Sequence, residues 1–247
     1  MEAAPPAVVV PPAPGKTIEP KGIMKKVSQM FSAADRKRVA DAIKKAEQNT
    51  SAEIVTVVAS ASGRYDRAED IVGFLFALLA VALGWFTCPA FHPESAWETD
   101  GSVSGLLPVL VSMVAGFVVG SALASRLTLL RLPFIPKREM EEDVHRAARE
   151  AFMTSKIRNT ARGTGILIFV SYYERRVVVL PDDTIIEKLP GHDWGELCSQ
   201  IVSGFKAGKP TDALEGAVIS CGAILSEVLP PLDENQNELS NELILID

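Results

Sequence analysis

Two stretches of this chain carry no charged side chain: Ile71 to Pro93, 23 residues, and Gly101 to Ser125, 25 residues. An α-helix rises about 1.5 Å per residue, so roughly 20 residues cross a hydrocarbon core about 30 Å thick. Both stretches are long enough. The other positions hold all 25 basic and 31 acidic residues, for a net charge of -6 over 247 residues. That density is ordinary for a soluble protein. The pattern reads as a soluble body with two uncharged inserts. It excludes a simple water-soluble enzyme, a polytopic transporter and a chain disordered throughout. The acidic balance argues against nucleic acid as the main partner.

The inserts, IVGFLFALLAVALGWF and LLPVLVSMVAGFVVGSALA, lack the polar stripe that soluble helices keep. Pro89 and Pro108 lie near the span ends that face the connecting loop, where a missing backbone donor costs little. Trp85, Phe86 and Phe91 stand at the same boundary and Trp97 in the loop, as in an aromatic belt. Ser112, Gly116, Gly120 and Ala124 recur every fourth residue of the second span and line one face. Gly73, Ala77, Ala80 and Gly84 offer the first span as a facing surface, so the expected arrangement is a hairpin packed on itself. Self-association or contact with another membrane protein through the Gly116/Gly120 face is the sharper alternative. Arg64 and Arg67 precede the first span and Arg126, Arg131, Lys137 and Arg138 follow the second, whereas Thr87 to Gly105 holds no Lys or Arg. This positive-inside bias predicts a multi-pass protein of the bacterial inner membrane. The body and both termini are then cytoplasmic and the 92–103 loop lies outside. No cleavable signal peptide pattern precedes the first span.

The remaining segments predict a domain cut in two. Residues 1–30 are expected to form a Pro/Ala-rich mobile tail, since six of the sixteen prolines fall in the first 22 positions. Pro11, Pro14 and Lys16 form a PxxPxK pattern that reads as a bare spacer. Residues 32–49 read as a helix capped by Ser32 with Asp35 three residues on, and Val39, Ile43 and Ala46 as its apolar face. EIVTVVAS, from Glu53, reads as a strand, and a short charged helix around 64–70 runs into the first span. RLTLLRLPFIPKR, residues 126–138, suits a membrane surface. Residues 138–156 read as a helix, and GILIFVS and RRVVVLP as a hairpin around a polar turn. Two further helices follow, at 193–207 and 212–228. The second has Leu214, Val218, Cys221, Leu225 and Val228 on one stripe and stops at Pro230–Pro231. Neither half covers its own strands. Together they predict an α/β fold, a sheet of about three strands covered by helices, with 31–70 and 138–247 as halves, 71–125 as the membrane hairpin and 126–137 as a surface linker.

Residues Phe31 through SAEIVTVV to Tyr65 resemble the first half of the TPM domain, named for thylakoid-lumen, photosystem II repair and MOLO-type receptor-auxiliary proteins. VHRAAREAF, GTGILIFVSYYERRVVVLPDDTI and Trp194 resemble its second half, and the closing NELSNELI resembles a bacterial membrane subgroup in which a hairpin splits the domain. The resemblance covers roughly 31–245. It implies a compact α/β fold, often labelled a phosphatase domain, with some members acting in membrane repair or receptor assembly. Other members bear the domain on the lumenal or periplasmic side, and many carry a Gly-rich stretch after the second hairpin strand. This chain has PDDTIIEKLPGHD there instead.

The residues themselves offer little chemistry. Cys88, Cys198 and Cys221 lack an Arg six positions on, so no cysteine-phosphatase loop is present, nor is a GxxxxGK[ST] loop. Cys88 is alone in its compartment, and Cys198 and Cys221 fall on apolar helix faces as small buried residues. His92, expected outside, cannot share a metal with His145 and His192. Asp182 and Asp183 follow a strand end with Glu187, His192 and Asp193 nearby. They are the candidate ligands for Ca²⁺ or Mg²⁺, against the plainer reading of a turn and helix start. Glu53 and Asp66 flank the first strand and are candidates to converge on the same edge. Glu174, Arg175 and Arg176 fall in the hairpin turn, where a solvated turn is the default and contact with a partner or lipid headgroup the alternative. The expected function is a non-enzymatic module that binds or assembles a membrane partner; the alternative is a divalent-metal-assisted phosphatase at Asp182/Asp183.

Overall fold

β-branched runs seed the sheet. The computed structural model describes residues 8–9, 26–63, 65–87, 106–127, 130, 132–157, 163–231 and 239–247. Its strands, in chain order, are Val8–Val9 (β1), Glu53–Ala59 (β2), Gly165–Ser171 (β3), Arg176–Pro181 (β4) and Ile244–Ile246 (β5). They form one sheet in the order β1-β4-β3-β2-β5. β2 runs parallel to β3, from Glu53↔Gly165 to Ala59↔Ser171, and parallel to β5. β3 and β4 are an antiparallel hairpin whose turn ends at Arg175 in the left-handed region, φ 55°. Every residue of β2 and β3 is buried, so both faces must be covered.

The helices are Ala33–Glu47 (α1), Asp66–Thr87 (α2), Leu106–Arg126 (α3), Lys137–Thr154 (α4), Asp183–Lys188 (α5), Gly195–Lys206 (α6) and Pro210–Val228 (α7). α1 starts in a capping box: Asp35 N–H donates to Ser32 Oγ at 3.1 Å and Ser32 N–H to Asp35 Oδ2 at 3.0 Å. Pro210 occupies the first turn of α7, where its missing N–H costs nothing. Val39 and Ile43 of α1, Leu197 and Ile201 of α6, and Leu214, Val218 and Leu225 of α7 pack on Ile54, Val58, Ile166, Ile168 and Val179 of the first sheet face. Burying each such side chain is worth about 2 kcal/mol. α1 and α7 come close enough that a Cβ on Gly222 would stand 2.8 Å from Ala46 Cβ. On the second face α4 sets Val144, Ala148 and Ala151 against Val55, Val57, Leu167, Phe169 and Val178.

Parallel neighbours need a crossover, and here the crossover from β2 to β3 ends in α4. The chain places α2 and α3 ahead of it. Two compact units result: Met1–Ile18, Lys25–Gly63 and Arg138–Asp247 make one, and Glu19–Met24 with Arg64–Lys137 the other. Within the second unit α2 and α3 lie against each other through small residues. A Cβ on Gly116 would fall 2.8 Å from both Ala80 Cβ and Phe76 O, and one on Gly120 would fall 2.6 Å from Phe76 Cβ and 2.9 Å from Gly73 Cα. Gly116 and Gly120 thus approach Phe76, Ala80 and Gly73 of the same chain. Ala124 is buried, and Ser112 donates to Val109 O of its own helix at 2.9 Å. Both helices are long and apolar enough to cross a membrane. Leu78, Leu79, Leu83, Val111, Val114 and Val118 are each at least half exposed.

Two expectations change. The sheet has five strands, because the edges accept two short ones whose pairing, rather than local pattern, makes them strands. The segment 1–30 is not wholly a tail: β1 pairs with the outer side of β4, and Val27–Gln29 is a 3-10 turn with Val27 buried. Ser28 N–H and Oγ donate to the Asp247 carboxylate at 3.1 and 2.5 Å, which ties that turn to the end of β5. Asp183 opens a six-residue helix, which is the plainer of the two readings of that pair. Arg64, Cys88, Pro89, Phe91, His92, Trp97, Arg131 and the 92–103 loop lie outside the described residues.

Candidate functional site at the ends of the sheet

The register puts the carboxyl ends of β2, β3 and β5 together with the start of β4, and in open α/β sheets ligands bind at carboxyl ends of strands. Here the β3–β4 turn folds back on the segment that leaves β2. Tyr172 and Tyr173 N–H donate to Ala59 and Ser60 O at 2.9 and 3.0 Å. Glu174, buried, is the clamp: its Oε1 accepts from Ser62 N–H at 2.9 Å and Gly63 N–H at 3.3 Å, and its Oε2 accepts from the Ser171 hydroxyl. Ser62 Oγ lies 2.7 Å from Ser171 Oγ. A hydroxyl beside a carboxylate is the makings of a nucleophile and base. Ser171 is 0% exposed, however, so no substrate reaches it, and the trio serves to close the loop.

Arg176, the first residue of β4, shares this end. Its side chain is buried beneath α4, and its Nη1 stands 3.6 Å from Glu141 Oε2. The triplet Glu174–Arg175–Arg176 is therefore no solvated turn, the default reading of the sequence: two of its three residues are buried. Turn composition missed this because the burial is supplied by residues 62–63 and by α4. His145, also on α4, was readable only as one His among three.

The opposite end carries the predicted acidic residues. Asp182 is the N-cap of α5, and its Oδ1 accepts from Asp183 N–H at 2.9 Å. Its own N–H donates to Gly165 O at 2.9 Å, and Gly165 is the register partner of Glu53. Glu53 and Asp182 thus do share an edge. Asp183 and Glu187 point to solvent, Asp193 Oδ1 accepts from Gly195 N–H at 2.8 Å, and the His192 ring meets Trp194 edge-on at 4.6 Å. Among the described residues no three His, Cys, Asp or Glu side chains gather as a metal-binding group. The side chain of Asp66 is outside the described residues.

Sequence reading passed over Glu47, in the last turn of α1. It is buried, with Oε1 accepting from Ile54 N–H at 2.9 Å and Oε2 from the Asn241 amide. Burial raises its pKa from the usual 4.5 to about 7, with the charge of Glu53 adding to the rise and the two hydrogen bonds opposing it. The signal was its place one turn after Ile43 on the apolar stripe. Cys198 and Cys221 are buried as predicted, and burial pushes both thiols up to about 12, far from a reactive thiolate.

Residues 130–224 match the family model of the TPM domain. The fold is similar to the NMR structure of BA42 protein from the psychrophilic bacterium Bizionia argentinensis, at 18% identity and a TM-score of 0.50, over 92% of this chain and 97% of that one. At that identity the likeness concerns the fold alone. No curated protein sequence matches the chain.

Proposed function

We propose that this chain, whose residues 130–224 match the TPM domain, is a membrane-anchored module that binds or helps assemble another membrane protein, not a catalyst. One observation carries the reading. α2 and α3 are each long and apolar enough to cross a bilayer, and their large side chains are exposed. In water such a surface would drive aggregation, whereas in lipid it needs no cover. The non-catalytic half of the reading is supported by the buried Ser171, the engaged Glu174 and the high-pKa thiols. The six flanking basic residues, against none between Thr87 and Gly105, orient the body and both termini toward the cytoplasm of a bacterial inner membrane, with the 92–103 loop outside.

Membrane fractions washed with alkaline carbonate should retain the full-length chain, and an impermeant thiol reagent should reach a Cys placed in the 92–103 loop but not one at Asp183. Cross-linking in intact membranes should capture a distinct membrane protein. A chain released by carbonate, or labelled at Asp183 from outside, refutes the anchoring. Divalent-dependent phosphoester hydrolysis lost in Asp182→Asn/Asp183→Asn would establish the phosphatase reading instead.

A further inference from the structure

β4 alternates between the two faces of the sheet. Val178 and Leu180 belong to the apolar cluster under α4, so Arg176 sits on that same face. Its side chain is only 8% exposed, yet among the described residues its guanidinium makes no hydrogen bond. The facing carboxylate, Glu141, stands 3.6 Å away on a side chain that is 45% exposed. One turn further along α4, His145 has a buried Nδ1 with no hydrogen-bond partner among the described residues. Arg149 follows one turn later, exposed. Burial first, then the charge of Arg149 and of Arg176, hold the His145 imidazole below its ordinary range, with Glu141 opposing.

A guanidinium offers five N–H donors, and those of Arg176 that meet no protein acceptor are not sealed from solvent. Glu47 and Glu174, the buried carboxylates at the two ends of the sheet, have both oxygens engaged. Arg176 does not, and a hydrophobic residue would fill its place as well. We propose that Arg176 and His145, with Arg149 at the rim, bind a phosphate group, carried by a soluble phosphoester or by a lipid headgroup. Glu141 covers Arg176 when the site is empty and swings out to admit the anion. A planar carboxylate is satisfied by one guanidinium fork. Three donor side chains from two elements suit a tetrahedral group with three terminal oxygens and nearly two charges. The inference does not depend on the membrane reading, since all four residues lie in the same compact unit.

The test follows the His145 imidazole signal of the purified full-length chain, assigned with His145→Gln, during titration with inorganic phosphate in neutral detergent. A second arm replaces phosphate with phosphatidic acid doped into the micelles. Saturable shifts in the first arm identify a soluble phosphate ligand, and shifts confined to the second identify a headgroup; either supports the site. Arg176→Gln should weaken binding about ten- to hundredfold, and Glu141→Gln should tighten it about two- to fivefold. The Glu141 variant gains binding, so misfolding cannot mimic its effect. A His145 signal unmoved in both arms, or affinities equal among wild type, Arg176→Gln and Glu141→Gln, overturns the proposal.

Discussion

At the amino end of β2, Glu47 holds Ile54 N–H with one oxygen and Asn241 with the other, and Asp182 caps α5 across Gly165. At the carboxyl end Glu174 likewise holds the Ser62 and Gly63 amides and the Ser171 hydroxyl, but two residues on, Arg176 is just as buried and holds nothing by a hydrogen bond among the described residues. Both ends bury charge in the same sheet. The difference separates polar groups that build the fold from one that the fold merely tolerates. A buried charge repays its desolvation only through full hydrogen bonding. Where that bonding is missing, the residue is better explained by what it meets from outside.

The sharpest way to break this contrast is to remove the clamp. Glu174→Ala leaves two part-buried backbone amides without their acceptor and the buried Ser171 hydroxyl with Ser62 Oγ alone, and should cost about 2–3 kcal/mol in urea denaturation. Glu174→Gln, which keeps an acceptor for the amides, should cost less. The next effect is on pH. Glu47 has a folded-state value near 7 against 4.5 for the ordinary carboxyl. Between those values the folded state binds more protons than the unfolded, so stability falls as pH rises through that window and levels off above it. The drop should approach about 3 kcal/mol, and Glu47→Gln should flatten it, with the Asn241 amide turning to present its oxygen. Asp182→Ala should lose about 1 kcal/mol of helix capping while Asp182→Asn retains most of it. A loss on Asp182→Asn as large as that on Asp182→Ala would mean that the carboxylate charge does more than the capping acceptor. Smallest of all, Arg176→Met should leave the unfolding free energy unchanged or raise it by about 1 kcal/mol. A loss of several kcal/mol there would erase the distinction between the two ends.

Much of the scaffold was legible because its signals are local. Gly165–Ser171 and Glu53–Ala59 are apolar runs of strand length, Ser32 with Asp35 is a cap read from spacing, and the α7 stripe repeats with helical period. What escaped is made by distant chain. Val8–Val9 and Ile244–Ile246 are strands only because β4 and β2 offer them edges, and α5 is too short for a periodicity to show. The candidate site escaped for the same reason. Glu174 and Arg176 sit in a stretch whose composition signals exposure, and residues more than a hundred positions upstream bury Glu174. Asp182 and Asp183 drew notice as paired acids, yet the pair is what a helix start asks for.

The detour between β2 and α4 also sets a timetable. Ser51 and Thr164, which meet by a hydrogen bond where β2 and β3 begin, are 113 residues apart in the chain. During synthesis β2 is finished long before the neighbour that shelters it exists. A seven-residue strand rich in Val must then wait, with its backbone edges open, while two greasy helices are made. Shortening that wait, by replacing Arg64–Lys137 with a short linker so that β3 follows β2 sooner, should speed folding and reduce clumping of the nascent chain, even though the sheet would be held by the same contacts.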